Sequence, residues 1–127
     1  MSDFIVLRDA MRAFTAERDW EKYHDPKSLI LALVGEVGEL SEVFQWLPAD
    51  EAARAAKTNP VRDRAGAEIA DVLLYLIRLA DVLNIDLMQV SLEKMISNTQ
   101  NHIPGEDPYA KRPLRPRSTT EEEDIDS

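Results

Sequence analysis

The chain has no cysteine. Disulfides and thiolate metal sites are thereby excluded, and a reducing, cytoplasmic setting is the expectation. Histidine is almost as scarce, with only His24 and His102 present. Long apolar runs are missing too. The longest, Leu29 to Val34, is far too short to span a bilayer. The N-terminal stretch MSDFIVLRDAMR is broken by acidic residues and precedes no small-residue cleavage site, so it does not read as a signal peptide. Positive charge is in deficit: 15 Lys and Arg stand against 24 Asp and Glu, a formal net charge of -9. Pro104 to Ser127 accounts for -3 of this, with seven acidic and four basic residues, and the body keeps -6. No basic stripe interrupts the body, so a nucleic-acid polymer is not an expected partner. A phosphate-bearing small molecule remains compatible with the charge if a divalent cation stands between the two.

What is present is helical patterning. The 127 residues are 44% hydrophobic and 31% charged, which suits one folded domain with a modest core. Phe4, Leu7, Met11 and Phe14 recur at helical spacing over Asp3 to Arg18, with Ser2 as the cap. Asp25-Pro26 is a helix start, and the helix it opens runs to about Trp46. Its first half, Leu29 to Val34, is apolar all round, which predicts a central helix. Gly35 and Gly38 lie inside it, each costing about 1 kcal/mol against alanine, so close packing or ligand space should compensate. A short surface helix is expected over Glu51 to Lys57.

A third long helix runs from Val61 to Leu83, its apolar face made by Ile69, Val72, Leu73, Leu76, Ile77, Ala80 and Leu83. Asn84 ends it. Asp86 caps a fourth, Leu87 to Asn101, expected to bury Leu87, Val90, Leu92, Met95 and Ile96. No strand is convincing. The expected fold is all-α, a small four-helix bundle over residues 1–104. Residues 105–127, proline-rich and then acidic, read as an extended or disordered tail.

The chemistry lies in two short patterns, Glu36-x-x-Glu39 and Glu68-x-x-Asp71. Residues three apart share a helix face, so each pattern is a paired carboxylate patch. Both patches sit in the most apolar helices. Burying unpaired like charges costs several kcal/mol each, and a divalent cation relieves that conflict. Carboxylates without histidine or cysteine form a hard oxygen site, suited to Mg²⁺ or Mn²⁺ rather than Zn²⁺ or Cu²⁺. A di-iron bundle would need Glu-x-x-His on two helices, and neither histidine lies in such a pattern. The bland reading of either pair alone is a solvated helix face; two pairs in apolar helices argue against it. Glu42 continues the first patch but rotates outward.

The segments Leu31-Ala-Leu-Val-Gly-Glu-Val-Gly-Glu-Leu40, Phe44-Gln-Trp46 and Glu68-Ile-Ala-Asp-Val-Leu-Leu-Tyr-Leu76 resemble the MazG-like all-α NTP pyrophosphatases, and most of all their dCTP pyrophosphatase branch. The likeness extends to Ala16-Glu-Arg-Asp-Trp20 and to Lys94-Met95 with Asn98, covering about Phe4 to Pro104. It implies hydrolysis of a nucleoside triphosphate to the monophosphate and pyrophosphate, with dCTP or a related pyrimidine deoxynucleotide as substrate, in nucleotide-pool sanitation. Glu36, Glu39, Glu68 and Asp71 would hold Mg²⁺, with Glu36 or Glu39 as the general base. Lys94 and Asn98 would reach the phosphates or sugar. Trp20, Trp46 and Tyr75 would line the nucleoside pocket; tryptophans are otherwise more often core or interface residues, but placement at helix ends beside the carboxylate helix and the family likeness reverse that order. Relatives assemble as dimers or tetramers, and a pocket can borrow residues from a neighbouring chain.

One departure is visible. Members of the dCTP branch carry a histidine nine residues before the first tryptophan, and this chain has Met11 there. Methionine offers no comparable donor, so strict cytosine selectivity is in question. Two other readings stand beside the favoured one. One is a dUTPase-like or broad-specificity enzyme of the same superfamily. The other is a non-enzymatic helical interaction module, whose inward carboxylates would meet a partner's basic residues. His24 reads as a loop residue before the helix cap, and His102 as a residue at a helix end.

Overall fold

The computed structural model describes residues 2–102 and 104–105. In chain order they form α1 (Asp3–Glu17), a 3₁₀ turn (Glu21–Tyr23), α2 (Pro26–Phe44), α3 (Ala49–Ala55), α4 (Val61–Val82) and α5 (Leu87–Asn101). Among the described residues there is no strand, and no helix is long and apolar enough to cross a membrane. The all-α expectation therefore holds, with helix ends shifted by about two residues at most. Apart from Gly105, the expected tail lies outside the described residues.

The start signals act as their chemistry requires. Asp25 accepts from the Ser28 backbone N–H at 3.0 Å and from its hydroxyl at 2.6 Å, with Pro26 opening α2. Asp86 accepts from the Gln89 N–H at 3.1 Å and caps α5. Ser2 differs from expectation. It sits at the cap position of α1, but its hydroxyl makes no capping bond. Its carbonyl instead accepts from Ile5 and Val6. Asn84 ends α4 with a φ of 55°, a left-handed conformation that asparagine tolerates. Asp19 does the same just after α1, with a φ of 54°.

Helix α4 is the hub, with α2 and α1 both packed on it. The buried centre is small: Leu29 and Val43 of α2, Thr15 of α1, and Ala65, Ile77 and Ala80 of α4. Three expectations about burial need correction. The all-round apolar start of α2 is covered on one side only, and Leu31 and Val34 are more than half exposed. The broad face of α4 buries Ile77 and Ala80 but leaves Ile69, Leu76 and Leu83 exposed. Helix α5 has no buried residue, and Leu92, Met95 and Ile96 are each about 60% exposed. The physical reason is shared. An apolar stripe is buried only where another element covers it, and one chain supplies covers only for the stripes that meet at α4.

The helix glycines are also decided here. Nothing lies within 4 Å of a Cβ built on Gly35 or Gly38. Close backbone packing within the chain is therefore not their reason, and open space flanks Glu36 instead.

Candidate functional site

The packing of α2 on α4 turns two separate acid pairs into one cluster. One carboxylate oxygen each from Glu36, Glu39 and Glu68 lie within 4.8 Å of one another. Glu36 and Glu68 are half-buried and Glu39 is exposed. The Oε2 atoms of Glu36 and Glu68 are buried with no hydrogen-bond partner. A buried carboxylate oxygen without a donor is costly, and two of them on residues of one close cluster mark a place for a positive group. Asp71 is exposed and lies outside this close group, but its charge is felt by both Glu36 and Glu68. Glu42 is exposed.

The electrostatics carry the same strain. Burial, reinforced by the charges of Glu39 and Asp71, pushes the Glu36 carboxyl up to about 7. Burial and then Glu39 push Glu68 up as well. Without a cation, the cluster holds a proton near neutral pH because the carboxylates cannot all ionise side by side. The donor set is oxygen only, and one oxygen from each of three carboxylates falls within one small space, so the residues present fit a hard divalent cation.

A pH test follows. The folded protein keeps a proton on Glu36 up to about pH 7, against 4.5 for the ordinary group. Between those values the folded state binds more protons than the unfolded chain, so this contribution to stability falls as pH rises. The metal-free melting temperature of the parent, relative to Glu36→Gln, is therefore expected to drop between about pH 5 and pH 8. Millimolar Mg²⁺ should abolish the drop, since a cation favours the ionised form. A pH-independent difference between parent and variant would count against repulsion in the cluster.

The other expected site residues are only partly gathered. Tyr75 is half-buried on α4, one turn beyond Asp71 and on the same face. Trp20 is 43% exposed, and its ring meets Phe14 edge-on at 5.6 Å. Trp46, just past α2, is 86% exposed. Lys94 is exposed and Asn98 half-buried on α5. Among the described residues, no hydrogen bond or ion pair joins either of them to the carboxylates.

Sequence reading missed a polar cluster at the far end of α4. Arg78 is buried, and it donates from Nε to His24 Nδ1 at 3.0 Å and from Nη1 to Asp81 at 3.2 Å. Asp81 also accepts from Arg12 of α1 at 2.8 Å. The available signal was Arg78 and Asp81, three residues apart inside an apolar stretch. Beside this cluster a groove of about 640 Å³ runs between α1, the end of α4 and the start of α5, and none of the four acids lines it.

Comparison with known proteins adds the following. No protein-family model matches the chain. It is 47% identical over 96 residues to dCTP pyrophosphatase 1 of Bos taurus, a match covering 76% of this chain and 57% of that protein. The Mus musculus dCTP pyrophosphatase 1 is likewise 47% identical over 96 residues, with 56% of its length covered. The Homo sapiens protein of the same name is 45% identical over 96 residues. The chain thus spans somewhat over half the length of the curated relatives it matches. Among solved structures, a pyrophosphatase from Archaeoglobus fulgidus superposes with a TM-score of 0.74 at 36% identity, covering 80% of this chain and 94% of that one.

Proposed function

The chain belongs to the MazG-like all-α NTP pyrophosphatases, in the dCTP pyrophosphatase branch, and from that premise we propose that it hydrolyses a pyrimidine deoxynucleoside triphosphate, dCTP first, to the monophosphate and pyrophosphate. The observation that carries the proposal is the convergence of Glu36, Glu39 and Glu68 with two orphaned buried oxygens. In this reading Glu36, Glu39, Glu68 and Asp71 hold Mg²⁺, with Mn²⁺ as a substitute. An ion held by these four carboxylates would supply positive charge to offset that of the phosphates and of the departing pyrophosphate. Glu36 or Glu39 takes the proton of the attacking water, as a carboxylate within reach of it can. Trp20, Trp46 and Tyr75 line the nucleoside pocket.

The same reading includes a homo-oligomer, dimer or tetramer. The outer face of α2 and the apolar stripe of α5 are uncovered in one chain, and a second copy is the cover the sequence already encodes. Lys94 and Asn98 then reach the phosphates or sugar from a neighbouring chain's α5. The location we assign is the cytoplasm.

The experiment is pyrophosphate release from all NTPs and dNTPs at one Mg²⁺ concentration. A pyrimidine deoxynucleotide should have the highest kcat/KM. Stacking on tryptophan is worth about 1–3 kcal/mol per base but separates bases poorly. Discrimination comes from hydrogen bonds to the base edge, and Met11, half-buried on α1, supplies none. That observation favours a second reading, a dUTPase-like or broad-specificity enzyme. A purine winning by more than about tenfold, roughly 1.4 kcal/mol, would end the pyrimidine assignment.

A further inference from the structure

We infer that His24 and Arg78 form a latch that fixes the Trp20 turn against the acid-bearing face of α4, making both positioning residues for the nucleoside pocket. The inference rests on the proposed nucleotide site for its kinetic consequence, but its geometry does not.

The turn from Trp20 to His24 is internally rigid. Asp19 adopts a left-handed φ of 54°, and the Trp20 N–H then returns to the Thr15 carbonyl at 3.0 Å. Tyr23 donates to the Trp20 carbonyl at 2.9 Å and His24 to that of Glu21 at 3.1 Å. His24 and Trp20 are thus joined through one hydrogen-bonded turn, with Trp20 also held on α1 by Thr15 and by the Phe14 ring. Among the described residues, the side-chain hydrogen bond tying this turn to α4 is Arg78 Nε to His24 Nδ1. Arg78 lies three residues after Tyr75 and seven after Asp71, so all three share one stripe of the helix. The latch thus ties the indole-bearing turn to the helix that carries Glu68 and Asp71.

Arg78 is itself held. Asp81 accepts from it and also from Arg12, so a buried guanidinium has a fixed counter-charge and a link to α1. These are the charged groups of the cluster: Arg78 and Asp81 of α4 and Arg12 of α1. Glu21, Lys22 and Asp25 flank His24 in sequence, Lys22 paired with Asp19 and Asp25 engaged by Ser28. The bond needs an unprotonated Nδ1, with the imidazole proton on Nε2. Burial, and then the Arg78 charge, hold the His24 pKa below its usual 6.5. Above that range the latch is closed. As pH falls through the lowered value, Nδ1 gains a proton, two donors face each other, and the turn is released.

The test uses Trp46→Phe protein, in which Trp20 is the one remaining tryptophan. Acrylamide quenching of Trp20 is measured without nucleotide at neutral and at acid pH. The parent should show the lower quenching at neutral pH, that of an indole already 43% exposed, and a rise of about twofold on acidification. His24→Ala should show the high value throughout. His24→Gln, whose amide oxygen accepts from Arg78 without titrating, should keep the low value throughout. In the full protein, His24→Ala should raise KM for dCTP several-fold with kcat within twofold, and His24→Gln should restore KM. Parent-like quenching in His24→Ala, or a retained pH step in His24→Gln, would overturn the latch. Lost hydrolysis of every nucleotide by the parent, with the quenching pattern intact, would overturn the proposed function and leave the latch standing.

Discussion

Glu39→Gln and Asp71→Asn are each expected to lower kcat by at least about a thousandfold, on the order of 4 kcal/mol of barrier. Either amide keeps the side chain's shape and loses the charge that a divalent cation requires. Far-ultraviolet circular dichroism should be unchanged, because neither residue is part of the buried centre. The metal-free melting temperature should move the other way. After burial, Glu39 is the next cause of the raised proton affinity at Glu36 and Glu68, so removing its charge relieves repulsion. A Glu39→Gln protein that is inactive but melts at or above the parent's temperature without metal fits this account. Turnover within a few-fold of the parent would sink the ligand set.

The second large effect concerns α5. Leu92→Glu with Met95→Glu should reduce the proposed homo-oligomer to single chains by sedimentation and lower activity more than a hundredfold. Both side chains are about 60% exposed in one chain, so the isolated fold loses little by the change. In an interface each contributes roughly 1.5–3 kcal/mol of burial, and a charge placed there costs more than that gain. A mixing experiment tells a shared site from a merely stabilising contact. Lys94→Ala and Asp71→Asn chains, each inactive alone, should recover roughly a quarter of parental activity when reassembled as random dimers. That recovery requires one chain's acids to work with the other's lysine. No recovery would mean that Lys94 serves its own chain's site or none. A parental mass for the α5 double variant would remove that helix from the proposed interface.

How much was legible can be read from individual residues. Asp25-Pro26, Asn84 and Asp86 announced helix ends because capping is chemistry between residues at most a few positions apart. The acid pairs were legible for the same reason, since three-residue spacing fixes a shared face. Ser2 misled because a capping residue type does not guarantee a capping rotamer, and its carbonyl did the work instead. The burial of α5 misled because an apolar stripe states that something covers it, not what.

The sequence alone determined the all-α class, the helix limits to within about two residues, the pairing of acids on shared helix faces and the family likeness, all of which rest on local spacing and residue type. Only the tertiary structure decided that Glu68 joins Glu36 and Glu39 within one small space while Asp71 stands beside it. It alone joined His24 to Arg78 across 54 residues, and left α5 and the outer face of α2 uncovered. Helical periodicity fixes which residues share a face, but which faces meet depends on how segments far apart in the chain pack against each other.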